Sequence, residues 1–306
     1  PSHALHAWTR LSLLTADEMP AAWRQLADDI DRDLAERRQF NQQFQPGWNL
    51  SGGDHSQWFA SGTGLSGARD SGPVAAAAPG GEFSVERTGE QVLRGILPAG
   101  VYTHRLSRKH TGVLTSPRFV ITTDAVSIRA LGQHSTARLV IENYALGNGG
   151  IYPATRLNRD DLGWVRLDTA YRKGAHAYVE FVTDDNDAAC FGAGQVVFHD
   201  GPAAPREVTL PLSQLLQASP PASLSELAER YVATLRSTIR AFRENRMSDT
   251  DVAFLDEFVR AGLLPVTLDQ LPALRDLVSE YRTREQEIPL PRRAPGLYEA
   301  AAFDQP

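Results

Sequence analysis

The sequence of 306 residues holds one cysteine, Cys190, and two lysines, Lys109 and Lys173. A single thiol excludes an internal disulfide and leaves the redox compartment open. It also excludes a Cys-x-x-Cys-His motif, so this piece cannot attach a c-type haem by the usual route. No apolar run approaches the ~18 residues of a membrane-spanning helix. No secretory leader is visible. The net charge of -6 removes the electrostatic case for nucleic acid, whose binders display basic surface. Catalytic fingerprints are missing too: no Gly-x-Ser-x-Gly, no His-Glu-x-x-His, no Walker loop and no dinucleotide motif. Gly147-Asn148-Gly149-Gly150 opens no helix and reads as a turn. The preference for Arg over Lys reads as genome base composition rather than guanidinium chemistry. Pro1 stands where Met would, and the chain ends on Phe303-Asp304-Gln305-Pro306. Both ends read as cuts inside a longer polypeptide.

What is present falls into three textures. Residues 1–45 read as a helical segment, with Thr15-Ala16-Asp17-Glu18 as a capping box. Trp23, Leu26, Ile30, Leu34 and Phe40 follow at helical spacing. Residues 46–204 are rich in Gly and alternate with a period of two. The clearest runs are Ala125 to Arg129, Arg138 to Glu142, Trp164 to Asp168, Tyr178 to Val182 and Gln195 to Phe198. Weaker ones are Gly47 to Leu50, Trp58 to Ser61, Phe83 to Glu86, Val92 to Leu97, Val101 to Leu106 and Gly112 to Thr115. Many short strands without intervening helices predict an antiparallel jelly-roll β-sandwich, in a chain mainly β with flanking α. Gly67 to Gly81 reads as a long loop.

Residues 205–306 read as helical with a Pro-rich extended tail. Ser223-Leu224-Ser225-Glu226 opens one helix, and Ser248 with Asp251 a second that ends at Gly262. Thr267-Leu268-Asp269-Gln270 opens a third, stopped by Pro289, Pro291 and Pro295. These amphipathic helices pack on one another and on the N-terminal helix, or dock on parts of a longer protein.

The run Leu114-Thr115-Ser116-Pro117-Arg118-Phe119, the segment Gly163-Trp164-Val165-Arg166-Leu167-Asp168 and the closing Val196-Val197-Phe198-His199-Asp200-Gly201 carry a resemblance. They resemble the galactose-binding-like jelly rolls appended to levanases and related sugar enzymes, over residues 80–201. That resemblance implies a carbohydrate-binding module. A second resemblance rests on Gly47-Trp48-Asn49-Leu50-Ser51-Gly52, Trp58 to Leu65, Ser107 to Pro117, Gly149 to Tyr152 and the tail Arg293 to Pro306. These look like a middle segment of planctomycete-type exported proteins that carry a cytochrome c-like domain and domains of unknown function. The likeness implies an exported, periplasmic or cell-envelope location and a haem c elsewhere in the polypeptide.

Alternation places Val126, Ile128, Leu139, Ile141, Val165, Leu167, Val179 and Phe181 inward. Arg129, Arg138, Glu142, Trp164, Arg166, Asp168, Tyr178 and Glu180 then face outward. Aromatic faces stack on sugar rings, and charged groups hydrogen-bond hydroxyls, so this set is the candidate polysaccharide surface. The bland alternative is a solvated or interdomain face with cross-strand charge pairs. Trp48, Asp54, His55, Gln57 and Trp58 line a rim, or tuck the two indoles into the sandwich edge. A structural Ca²⁺ would take Glu82 and Asp200 as carboxylate donors. His104 and His110 lack further ligands at metal spacing. Asp184-Asp185-Asn186-Asp187 reads as a solvated hairpin tip, and Cys190 as a small apolar side chain. The expectation is therefore a non-catalytic module that binds glycan or scaffolds neighbouring domains, with an enzyme of unrecognised type as the remaining alternative.

Overall fold

Two-residue alternation between residues 125 and 199 becomes antiparallel sheet in a computed structural model, which describes residues 3–66, 72–74, 76–143, 153–185 and 187–290. In chain order the elements are α1 (His6–Leu11), α2 (Met19–Asn41), β1 (Gln45–Asn49), β2 (Phe59–Ser61), α3 (Thr63–Ser66), β3 (Gly72–Pro73) and β4 (Val101–Tyr102). There follow β5 (Val113–Thr115), β6 (Phe119–Val120), β7 (Ala125–Ile141), β8 (Ala154–Asp168), β9 (His176–Thr183) and β10 (Cys190–His199). The chain closes with α4 (Ser213–Leu216), α5 (Leu224–Arg243), α6 (Asp249–Arg260) and α7 (Arg275–Glu287).

β7 is the spine. One edge pairs with β8 from Ala125↔Asp168 to Arg138↔Ala154. The other edge pairs first with β10, through Ala125 to Gln133, and then with β9, through Ser135 to Ile141. β10 continues into β1 and β4, and β9 into β5, β2 and β3. The sheet therefore curls into two halves that share the β7–β8 hairpin, a mainly antiparallel jelly-roll sandwich. The switch lies at Gly132 to Ser135, where the register slips and His134 takes φ 45. Only glycine fits at 132, because a Cβ there would lie 2.3 Å from Ser135 Oγ and 2.7 Å from the Cys190 carbonyl. The slip also exchanges faces. Val126, Ile128 and Ala130 point inward before it, and Ala137, Leu139 and Ile141 after it, all in one core. That core closes on Trp58, Leu114, Phe181 and Phe191, with the two Phe rings stacked at 5.5 Å.

A helical layer forms the second unit. Trp23, Leu26, Ile30 and Leu34 of α2 share a core with Leu215 of α4, Leu227 and Tyr231 of α5 and Phe254 and Phe258 of α6. The Tyr231 hydroxyl donates to the Ala4 carbonyl at 2.7 Å. The N-terminal and C-terminal helices thus satisfy each other's apolar stripes. They also cover the outer face of the first half-sheet, so Ala125, Ser127, Arg129 and Leu131 are buried although they point away from the sandwich core.

Several local expectations are corrected. Phe83 to Glu86 and Val92 to Leu97 lie outside the sheet, the second bent at Val92 and Arg94, and this region joins its neighbours through the isolated bridges Glu82↔Leu97 and Gln91↔Thr267. Their apolar side chains serve a cluster of Ile96, Ala241, Met247, Val252 and Leu255. Val101 to Leu106 shrinks to the two residues of β4. The Thr15 box forms by half: Glu18 Oε2 accepts from Thr15 N at 2.9 Å, but α2 starts only at Met19, with no side-chain cap. The third C-terminal helix starts at Arg275 and not at Thr267. Residues 67–71, 144–152, 186 and 291–306 lie outside the described residues, and with them much of the expected long loop, the Gly147 turn, Asn186 and the Pro-rich tail. Among the described residues no helix is long and apolar enough to cross a membrane.

Candidate functional site

The curled sheet divides the eight outward residues into two groups. Arg129, Trp164, Arg166 and Asp168 lie on the outer face of the half formed with β10. Arg138, Glu142, Tyr178 and Glu180 belong to the half formed with β9. The bend in β7 separates them, so they do not form one surface.

In the first group, Arg129 is only 8% exposed. Its Nε donates to Glu207 at 3.1 Å and a terminal nitrogen to Asp249 at 2.9 Å. Burial alone would lower its pKa, but the charges of Glu207 and Asp249 outweigh that and hold it above the ordinary value. This guanidinium fastens the helical layer to the sheet. Arg166 donates to the Gly201 carbonyl at 3.1 Å, and Asp168 accepts from Ala170 N at 3.0 Å, so both tie down the hairpin end.

The second group is likewise internally paired. Arg138 Nε donates to Glu180 at 2.7 Å across β7 and β9. Glu142 accepts from His176 N at 2.7 Å, and that N–H holds its carboxyl below the usual range. Burial pushes the Tyr178 phenol up.

Trp164 is different. It is half-buried, its indole N–H has no hydrogen-bond partner among the described residues, and it lines a cleft of about 380 Å³. The registers Asn49↔Gln195, Gln195↔Arg129 and Arg129↔Trp164 place these residues in one row across β1, β10, β7 and β8. At ~4.8 Å per strand the row spans roughly 14 Å. Arg129 is capped by the helical layer, while Asn49, Gln195 and Trp164 all open on the cleft. The Gln195 carboxamide also lacks a partner among the described residues. Asp54 stands at the rim in a single 3-10 turn (Gly53–Gln57), where its carboxylate accepts from Asn49 N at 2.8 Å. Among the described residues it is the only ionisable side chain in the lining. The floor is Val197 with Pro46 and Pro205.

The rim alternatives for the two other indoles are decided by packing. Trp58 is fully buried, and Trp48 turns inward against Trp58, Phe198 and Phe119 at centroid distances of 5.5, 5.7 and 5.9 Å. Glu82 pairs with Arg105 at 3.0 Å. Asp200 accepts from Asp124 N at 2.9 Å and lies 3.5 Å from Lys173 Nζ, which also binds Asp124. The two carboxylates share no partner. Among the described residues no three His, Cys, Asp or Glu side chains gather as a metal-binding group. Burial pushes the Cys190 thiol up, away from the reactive thiolate.

Sequence reasoning missed Asn49 and Gln195. The alternation through Gln195 and Val197 carried the signal for one, and the outward neighbour of an inward Trp48 the signal for the other.

No family model matches this sequence, and no curated protein matches it. Among solved structures the chain is similar to the TmCBM61 module in complex with β-1,4-galactotriose, at 12% identity and a TM-score of 0.30, over 49% of this chain and 94% of that one. It is also similar to a CBM29-2 mutant complexed with cellulohexaose, at 10% identity and TM-score 0.24, over 40% of this chain and 93% of that one. The xylan-binding module CBM15 follows at 11% and 0.25, over 49% and 96%.

Proposed function

We propose that the chain is a non-catalytic glycan-binding β-sandwich module whose site is the cleft beside Trp164. The observation that carries this reading is the outward row in which one indole and two carboxamides open on a cleft, with the indole N–H and the Gln195 amide unpartnered among the described residues. An aromatic face offers stacking to the C–H side of a sugar ring, and amides supply both donors and acceptors for hydroxyls. Among the described residues the lining holds no cation and one carboxylate, Asp54, so it suits a neutral polysaccharide and disfavours a uronate or sulfated one. The jelly-roll strand motifs support the same class. The setting in a larger exported, haem-containing polypeptide rests on the sequence resemblance alone.

Affinity electrophoresis of the full chain through gels containing neutral or acidic polysaccharides tests the reading. Retardation by at least one neutral polymer is expected. Trp164→Ala should weaken it at least tenfold, about 1.4 kcal/mol. No retardation by any neutral polymer, or equal retardation of the variant, would leave the reading without support.

A second reading has its own observation. The helical layer covers most of the outer face of the first half-sheet, through Arg129, Glu207 and Asp249. Under this reading the module is purely structural and organises neighbouring domains of the same polypeptide. It then binds no glycan, and the same gels separate the two.

A further inference from the structure

A second cavity, of about 60 Å³, lies between the outer side of the sheet, the extended segment around residues 83–97 and α6. It shares no residue with the Trp164 cleft. Four guanidinium groups line it, from Arg94, Arg108, Arg159 and Arg260. Three are engaged: Arg94 with Glu86 at 3.2 Å, Arg159 with Asp161 at 2.9 Å and Arg260 with Asp256 at 2.6 Å. Arg108 makes no hydrogen bond or ion pair among the described residues. His104, only 6% exposed, also lines the cavity, and its Nδ1 has no hydrogen-bond partner.

The lining holds acceptors as well as donors. Glu86 and Asp160 carry carboxylates there. Burial first, and Arg108 second, push the His104 imidazole down to about 4, so at neutral pH it is uncharged and keeps a lone pair. A fully deprotonated anion would meet Arg108 favourably but face these acceptors with no proton to give them. Hydrogen phosphate satisfies both demands. Its charged oxygens accept from the guanidinium, and its P–OH donates to a carboxylate. Sulfate has no such proton at neutral pH. We propose that this cavity binds a hydrogen-phosphate group, with Arg108 as its cation and Glu86 and Asp160 as the acceptors that select it over sulfate.

The volume holds a few waters or one small polyatomic anion. A neighbouring cavity of about 160 Å³ shares Ser84, Glu86, Arg94 and Arg108 with it.

Calorimetric titration of the full chain at pH 7 and constant ionic strength, with inorganic phosphate, glucose 6-phosphate and sulfate in turn, tests this. Phosphate should bind at least tenfold more tightly than sulfate. Arg108→Gln should lose at least tenfold with an unchanged melting temperature. Asp160→Asn should narrow the gap between phosphate and sulfate. Glucose 6-phosphate, at pH 7 mostly a dianion without a P–OH, should bind no better than sulfate, and tighter binding of the ester than of phosphate would overturn selection by the proton. Absence of phosphate binding at millimolar concentration, sulfate as good as phosphate, or an Arg108→Gln chain that binds like the parent overturns it.

Discussion

Arg129 and Trp164 are cross-strand neighbours with opposite fates. Alternation of inward Val126, Ile128, Val165 and Leu167 turns both of them outward, and this much is legible in the sequence. What alternation does not contain is what lies above the sheet. Arg129 is met by Glu207 and Asp249, 78 and 120 residues away in sequence, while Trp164 is left facing a cleft. No local pattern distinguishes a guanidinium that binds a ligand from one that fastens a layer. His104 makes the same point. The sequence marks it only as a histidine without metal-spaced partners, and the fold buries it. Its imidazole is held down to about 4 against an ordinary 6.5. Between those values the unfolded chain binds a proton that the folded chain does not. Stability from this group is therefore full above about pH 6.5 and falls as the pH drops toward 4. The loss approaches about 3 kcal/mol at the lower limit. Urea unfolding from pH 7 to pH 4 measures it, and His104→Gln should show a shallower acid decline than the parent. A decline of equal steepness in the two proteins contradicts the burial of a neutral imidazole.

At the scale of elements, the strands that the sequence reveals are those long enough to alternate several times. β7, β8, β9 and β10 satisfy that condition; Phe83 to Glu86 and Val92 to Leu97 do not. Gly80, Gly81, Gly89 and Gly95 interrupt that region, and its backbone finds partners piecemeal, as in Ile96 N to Asp256 at 2.7 Å. Helix ends divide in the same way. At α6 every local signal agrees. Ser248 and Asp251 form a reciprocal capping box, and Gly262 at φ 66 ends the helix while Leu263 N returns to the Phe258 carbonyl at 3.0 Å. Ser248→Ala should cost about 1 kcal/mol in urea unfolding, and a change below a few tenths would show that the box does not support α6. At Thr267 the capping chemistry is real but is used on a turn. Gln270 Oε1 accepts from Val266 N and Thr267 N at 3.0 and 3.3 Å. Pro272 then lacks the N–H to continue a helix and disfavours helical geometry at Leu271, so α7 waits until Arg275. Glu285 near the end of α7 fixes it to the sandwich, accepting from Ser107 Oγ at 2.6 Å.

Across the whole molecule, two sequence-distant helical segments close into one layer because each carries an apolar stripe that nothing local can bury. Their joint core, from Ala4 to Phe258, is a long-range fact visible in the sequence only as two unmet needs. The layer then lies over the half-sheet that bears Arg129. Trp164, Gln195 and Asn49 of the same outward face open on a cleft. Five tryptophans make that opening directly observable. In ¹H–¹⁵N spectra, each indole N–H gives a separate signal that single Trp→Phe variants assign. Soluble oligosaccharides of neutral glucan, galactan, xylan and mannan, added in turn, should shift the Trp164 signal with at least one of them and leave those of Trp23 and Trp58, both buried in cores, in place. A Trp164 signal unmoved by every sugar, or a response confined to Trp8 on the helical layer, would contradict a glycan site in this cleft.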